Sequence, residues 1–422
     1  MIICCGEALI DMVRAPVPGL GEGFLPLPGG SPYNTATAIG RMGVAVKFLG
    51  RFSTDFFGEL LVKRLRENRV SDDLIVRTAQ NSTLAFVKLE KGKEPQYVFY
   101  TEGTADGSLQ PEDLPSKLPA DTRCILFGSI SLTMDPVAST IEAFILREGT
   151  RKSADQMDGA PIISFDPNIR PFMIKDRNSY IERFEKWIAA STIVKISSVD
   201  FEYIYPKLEL EQALQKILAM GPRLVICTLG ARGAVALLRR NDGSLTRVSA
   251  PVVDIPVVDT IGAGDTFHGA FLSLLEIKGK MSRSALANLS ETDLYDALFF
   301  ANKAASIVCS RRGAEPPTRK EVENLKIPEA KTVSRAKAGA KPKTETAKKQ
   351  PAKTTKTAAR TDKSAAKPAA ARTAKPAAKA ASAKATSAKA GKVSAAKPAA
   401  KGGTKALAKP KTGSTVKASK KK

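Results

Sequence analysis

Seven short apolar runs, at residues 2–5, 44–49, 124–127, 162–165, 193–196, 224–228 and 234–238, recur along the first three-fifths of the chain. They are continuously apolar rather than alternating, which suits strands buried on both faces. Helix-like segments at 32–42, 178–190, 208–220, 262–277 and 293–309 lie among and beyond them. Ser31-Pro32 reads as an N-cap and first-turn pair, and Gly43 as a stop. This rhythm predicts an α/β fold with a mostly parallel sheet sandwiched by helices.

Two stretches break the rhythm. Residues 12–28, and 84–91 with 96–100, alternate like half-buried strands, with Gly92 in the intervening turn. They predict a small antiparallel β lid, drawn from about 12–28 and 84–101, projecting over a site that must exclude water.

Charge divides the chain in two. Of 66 Lys and Arg, 27 lie between Lys331 and Lys422, together with only two of the 42 acids, Glu345 and Asp362. That leaves 39 bases and 40 acids in the first 330 residues, an ordinary enzyme-like balance. The boundary falls near Pro328: residues 1–328 read as one folded domain and 329–422 as a basic tail without Phe, Trp, Tyr or His. Ala-Lys-Pro-Ala-Ala recurs at 366–370, 374–378 and 396–400. Having no large apolar side chains to bury, such a tail cannot offset its ordering entropy and is expected to be disordered. No stretch reaches the ~18 apolar residues of a membrane span. The N-terminus lacks a basic leader, and five cysteines without ligand spacing point to reduced thiols, so a cytoplasmic location is expected. His268 is the only histidine, which excludes a His-cluster metal site.

The strongest chemical signal is Asp259-Thr260-Ile261-Gly262-Ala263-Gly264-Asp265-Thr266, following a β-like run at 250–258 and opening an apolar helix. Small residues at a helix start leave backbone N–H groups free to cradle a phosphate, and Asp265 beside them is a general base for an attacking hydroxyl. The GxGxxG spacing fails, because the next glycine after Gly264 is Gly269, and no Walker sequence occurs. Gly29-Gly30-Ser31-Pro32-Tyr33-Asn34 and Asp11 offer the mixed donors and acceptors that a polyol needs. Asp166-Pro167-Asn168-Ile169-Arg170 offers acceptors for a magnesium shell and a guanidinium for phosphate. Thr228-Leu229-Gly230-Ala231-Arg232-Gly233 lets backbone approach a nucleotide.

Taken in chain order, 29–34, 166–170, 228–233 and 259–265, these four segments resemble the ribokinase (PfkB) carbohydrate kinase family over about residues 1–325. Within it the chain is most similar to fructokinases, through Gly6-Glu7-Ala8-Leu9-Ile10-Asp11 and Phe127-Gly128-Ser129-Ile130-Ser131-Leu132. The resemblance implies ATP-dependent phosphorylation of a sugar hydroxyl, with fructose as the expected substrate and ribose, 2-keto-3-deoxygluconate or a nucleoside as alternatives. It implies Asp265 as base, Gly262, Ala263 and Gly264 as anion hole, Arg170 near the transferring phosphate, and Asp11, Gly30 and Asn34 on the sugar. Thr228, Gly230, Gly233 and Asn302 would surround ATP. Members commonly need Mg²⁺, and many are activated by K⁺, with Asp259, Ile261 and Gly313 as cation-site candidates. Where the family carries Asn-x-x-Glu, this chain has Ser197-Ser198-Val199-Asp200, making Ser197 a nucleotide contact and Asp200, alongside Asp166, a Mg²⁺ candidate.

The tail resembles the Lys/Ala/Pro-rich arms of linker histones, and a flexible polycation binds nucleic acid without sequence preference. A homodimer paired through the lid is a further expectation. A nucleic-acid-associated structural protein with an inactive kinase fold is the alternative from another class; the intact Gly262-Ala263-Gly264-Asp265 argues against it.

Overall fold

A computed structural model describes residues 1–19, 21–88, 96–150 and 159–326. The expected tail at 329–422 and the Gly92 turn lie outside the described residues. Strands in chain order are β1 Ile2–Cys5, β2 Leu9–Val17, β3 Gly21–Gly29, β4 Val46–Ser53, β5 Val70–Thr78, β6 Thr83–Lys88, β7 Gln96–Tyr100, β8 Cys124–Gly128, β9 Ile162–Asp166, β10 Ile193–Ser197, β11 Leu224–Thr228, β12 Ala234–Arg239 and β13 Leu245–Ala250.

Among the described residues, nine strands form one sheet in the order β13-β12-β11-β10-β9-β8-β1-β4-β5. It is parallel from β11 to β5, and β12 and β13 add an antiparallel edge. All seven apolar runs are strands of this sheet. The strands not anticipated, β5 and β13, are its two edges, where one polar flank is tolerated: β13 alternates exposed and buried along Leu245–Ala250. The β-like run at 250–258 is not a strand beyond Ala250. Pro251 and Pro256 remove two ladder donors, and the segment becomes a strap.

Adjacent strand residues bury opposite faces. Cys4, Leu126 and Ile226 pack with helices Ser31–Arg41, Ala263–Ile277 and Glu291–Cys309. Cys5, Phe127, Phe165 and Cys227 pack with helices Val137–Thr150, Arg177–Ala190 and Leu210–Ala219. Phe127 stacks on Phe165 at 4.8 Å between ring centroids, and Phe165 meets Trp187 edge-on at 6.2 Å. Truncating such a ring to Ala costs about 3–5 kcal/mol. All five cysteines are free thiols. No helix among the described residues is long and apolar enough to cross a membrane.

The second sheet runs β3-β2-β6-β7. Its β2–β3 and β6–β7 pairs are antiparallel, as expected, while the central β2–β6 pair is parallel. β2 begins at Leu9, so Asp11 is a strand residue of this sheet, paired with Leu27. In the large sheet the chain leaves β1 toward β4 and β5, then returns to β8 on the other side. The crevice beyond the carboxyl ends of β1 and β8 is the topological switch point, where α/β sheets bind ligands.

Candidate active site

Helix Ala263–Ile277 starts at that crevice. Its N-cap, Gly262, has φ 74°, and a Cβ there would lie 2.7 Å from the Ala314 Cβ, so both conformation and space require glycine. The Ala263 N–H reaches the Thr260 carbonyl at 3.2 Å. The N–H groups of Gly262 and Gly264 have no acceptor among the described residues and remain free for an anion.

Asp265, in the first turn, is 7% exposed. Its carboxylate accepts from Ser31 Oγ at 2.6 Å and from Asn34 Nδ2 at 2.9 Å. Ser31 was expected to cap its helix. Instead Gly30 occupies the cap position at φ 106°, where a Cβ would lie 2.7 Å from the Glu7 carbonyl oxygen, and the serine hydroxyl is directed at Asp265. Buried Glu7 anchors this corner by accepting from the Ser31 N–H at 3.0 Å and from the Ser131 hydroxyl. Burial pushes the Asp265 carboxyl up to about 6, against the lowering effect of its two hydrogen bonds.

Asp11 hangs from the small sheet into the same cavity, which has a volume of about 190 Å³ and is also lined by Gly30, Asn34, Arg170, Phe99, Ile261 and the Gly262–Asp265 turn. Burial, then the charge of Asp265, raise the Asp11 carboxyl to about 7, with Arg170 opposing. The Arg170 guanidinium folds onto its own loop, donating to Asn168 Oδ1 at 2.8 Å. Asn168 itself is held at φ 37°, a strained conformation of the kind that collects at functional sites.

A second cavity of about 680 Å³ adjoins the first, sharing Asn168, Thr260, Ala263 and Gly264 as walls. Thr228, Gly230 and Gly233 after β11, Ser197 and Asp200 after β10, and Asn302 line it. Val199, Leu229, Val253, Ile255 and Val257 give it an apolar wall. Asn302 is buried and donates to the carbonyls of Ala250 and Pro251 at 2.9 and 3.0 Å, so it holds the strap that closes this cavity.

Two adjoining cavities meeting at a helix N-terminus, with a buried carboxylate at the junction, suit transfer of an anionic group between two ligands. The chain matches the family described as "pfkB family carbohydrate kinase" over residues 1–321. It is a PfkB family carbohydrate kinase. This kinase is 38% identical over 295 residues, 70% of its own length and 85% of the other, to a fructokinase of Rhizobium leguminosarum bv. trifolii. Its fold matches the crystal structure of Xylella fastidiosa fructokinase with bound ATP at TM-score 0.67 and 28% identity, covering 76% of this chain and 96% of that one. A Vibrio cholerae O395 fructokinase in a fructose, ADP and calcium ion bound form matches at TM-score 0.60 and 25% identity, covering 74% and 94%.

Other expected residues of the kinase fall as follows. Asp200 closes a capping box with Ser197, its carboxylate accepting from Ser197 Oγ at 2.6 Å and from the Ile169 N–H at 2.8 Å. Asp166 lines neither cavity; it is buried in an ion pair with Lys195, 2.8 Å away, and faces His268 at 3.6 Å. Asp259 accepts from the N–H groups of Ile261 at 3.0 Å and Gly313 at 2.9 Å, tying two loops together. His268 is fully buried against Ser164 Oγ at 2.8 Å. Among the described residues no cluster of three or more His, Cys, Asp or Glu could hold a metal by itself. The roles of three site residues escaped the sequence reading. Glu7 stood only within a segment of the family resemblance, and Ser31 only as a cap and part of the polyol-binding segment; Lys195 had a visible signal, as the one charge inside the apolar run 193–196.

Proposed function

We propose that this kinase transfers the γ-phosphate of ATP to a hydroxyl of fructose, with the sugar in the smaller cavity and the nucleotide in the larger. The observation that carries this reading is the junction: Asp265 lines the smaller cavity beside Asp11, Gly30 and Asn34, and the adjacent Ala263 and Gly264 line both. The sugar hydroxyl loses its proton to Asp265 as its oxygen attacks phosphorus. The free N–H groups of Gly262 and Gly264, with Arg170, stabilise charge on the moving phosphoryl group, and alignment supplies much of the remaining rate. Thr228, Gly230, Gly233, Ser197 and Asn302 hold the nucleotide, with its base against the apolar wall. Names and ligands of the similar fructokinases support fructose over other sugars.

Mg²⁺ fits a site with few free carboxylates, because it binds through phosphates and water as readily as through protein. Asp200 and Asn168 are the donors that would hold it, and it would neutralise phosphate charge. K⁺ would sit at the loops joined by Asp259, on carbonyls near Ile261 and Gly313. Free thiols throughout support a reducing, cytoplasmic setting. Phe24, Val98 and Tyr100, each at least half exposed on one face of the lid sheet, support pairing of two lids in a homodimer. The tail, at net +25 between Lys331 and Lys422, would tether the enzyme to nucleic acid.

A coupled ADP-release assay across fructose, ribose, 2-keto-3-deoxygluconate and nucleosides tests the substrate. The highest kcat/KM is expected with fructose, and a higher value with another acceptor would replace it. Equal binding of duplex DNA at low salt by the full chain and by residues 1–328 would remove the tether.

A further inference from the structure

We infer that Lys195 is the phosphate-binding cation of the nucleotide cavity, with Asp166 as the residue that positions it. The inference rests on the ATP-dependent reading above and adds to it a residue that no motif supplied.

Lys195 extends from β10 and is 3% exposed, yet it lines the larger cavity. It is the sole Lys or Arg among the described residues there, against Asp200 and Asp254. A polyphosphate entering that cavity meets carboxylates and one cation. The Lys195 ammonium has three N–H donors. One goes to Asp166 Oδ2 at 2.8 Å, and the other two have no acceptor among the described residues. A buried ammonium ordinarily satisfies its donors, because leaving them unpaired away from water is costly. Unused donors on a cavity wall therefore point to an anionic ligand.

Gly264 makes this geometry possible. A Cβ on Gly264 would lie 3.0 Å from Lys195 Nζ, so any side chain there would cover the ammonium. The glycine backbone is not left-handed, and its value here is the space it leaves. Gly264 and the Lys195 ammonium thus lie side by side on the wall of the larger cavity.

Asp166 keeps the charge in place. Burial alone would favour neutral lysine; the adjacent carboxylate reverses this and holds Lys195 above the usual lysine range, while Asp166 is held below the usual carboxylate range. His268 packs behind the pair, and burial keeps it below the usual histidine value. The pair is neutral in sum, but Asp166 lines neither cavity, so only the positive end faces the ligand.

In the transfer, the sugar oxygen forms a bond to γ-phosphorus as the bond to the β,γ-bridging oxygen breaks. The electron pair leaves with ADP, and the hydroxyl proton passes to Asp265. Lys195 keeps its protons throughout and neutralises charge on the γ-phosphoryl oxygens.

The test compares wild type with Lys195→Met and Lys195→Arg in three readouts: kcat, the Kd of the β,γ-imido analogue of ATP, and the Kd of ADP. Lys195→Met is expected to lower kcat by about 10²–10³-fold, the size seen when one transition-state donor is removed. It should also weaken the analogue about tenfold or more while changing ADP by less than about twofold, since one charged contact is worth about 1.5–3 kcal/mol. Lys195→Arg should recover part of both losses. Equal loss of analogue and ADP affinity, or wild-type kcat in Lys195→Met, overturns the inference. Should Lys195→Met not fold because Asp166 is left uncompensated, the double variant Lys195→Met/Asp166→Asn carries the same comparison with no buried charge. Wild-type turnover in the same assay reports on the ATP reading separately: its absence with every sugar would sink that reading, whereas intact wild-type turnover with unaffected variants sinks only the role of Lys195.

Discussion

The Ser31 hydroxyl donates to Asp265 Oδ1 at 2.6 Å across 234 residues of sequence, joining the starts of two helices at the carboxylate in the cavity junction. A hydrogen bond to the charged form favours that form. Ser31→Ala should therefore raise the Asp265 pKa from about 6. In wild type, kcat/KM should fall as pH drops through about 7 to 6, where Asp11 and then Asp265 take up protons. In Ser31→Ala the acid limb should move to higher pH, with the plateau rate above about pH 8 reduced only modestly. An unmoved limb in a kcat/KM–pH profile would remove Ser31 from this role.

Asp265→Asn keeps the shape of the side chain and its contact with the Ser31 hydroxyl, and removes the proposed base. Turnover should fall by about 10²–10⁴-fold, the usual contribution of a positioned base. Fructose and nucleotide affinities, read by calorimetry, should change by less than about threefold. Near wild-type turnover would exclude Asp265 as the base.

Asp11 illustrates the tension between function and stability. Its carboxyl is raised from 3.8 to about 7 in the folded state. Between those values the folded chain holds a proton that the unfolded chain has released, so stability falls as pH rises across that window. Asp11→Asn should raise Tm at about pH 8 and lose that advantage near pH 4, while KM for the sugar increases. Thermal melts at the two pH values check the sign.

Gly262→Ala should both destabilise and inactivate. Its left-handed φ costs an L-residue roughly 1–2 kcal/mol, and the added methyl meets Ala314. Because the strain falls on the turn that presents the free N–H groups, kcat should drop more than Tm alone would explain. Paired melting and steady-state measurements separate the two.

Asn302→Leu should act on the nucleotide. Two backbone carbonyls, the buried one of Ala250 and the part-buried one of Pro251, lose their donor, the buried one at about 1–3 kcal/mol. The loosened strap should raise KM for ATP severalfold and leave KM for the sugar nearly unchanged. A selective rise in the sugar KM would contradict this arrangement.

The interior of the large sheet was legible because both faces of its central strands are buried. Ile193 and Val194, or Cys4 and Cys5, are apolar whichever way they point, so no knowledge of neighbours was needed to recognise them. Edge strands were harder. Val70–Thr78 carries Ser71, Asp72 and Asp73, and Leu245–Ala250 alternates, so only their place beside a covered strand defines them. The strap after Ala250 failed for a related reason: its apolar residues wall a cavity instead of filling a sheet.

At the site, local sequence determined which segments carry chemistry. Glycines before a helix, an acid in its first turn, and an Asp-x-Asn-x-Arg loop after a strand are properties of a few consecutive residues, and their backbone consequences follow from sterics and helix ends. Tertiary structure alone decided where those groups point. Ser31 serves Asp265 rather than its own helix, Asp166 is consumed by an ion pair, and Lys195 reaches a cavity from within an apolar strand. These outcomes depend on contacts between residues 29 to 234 positions apart, and a charge acquires its role from the partner it meets, which no local pattern records.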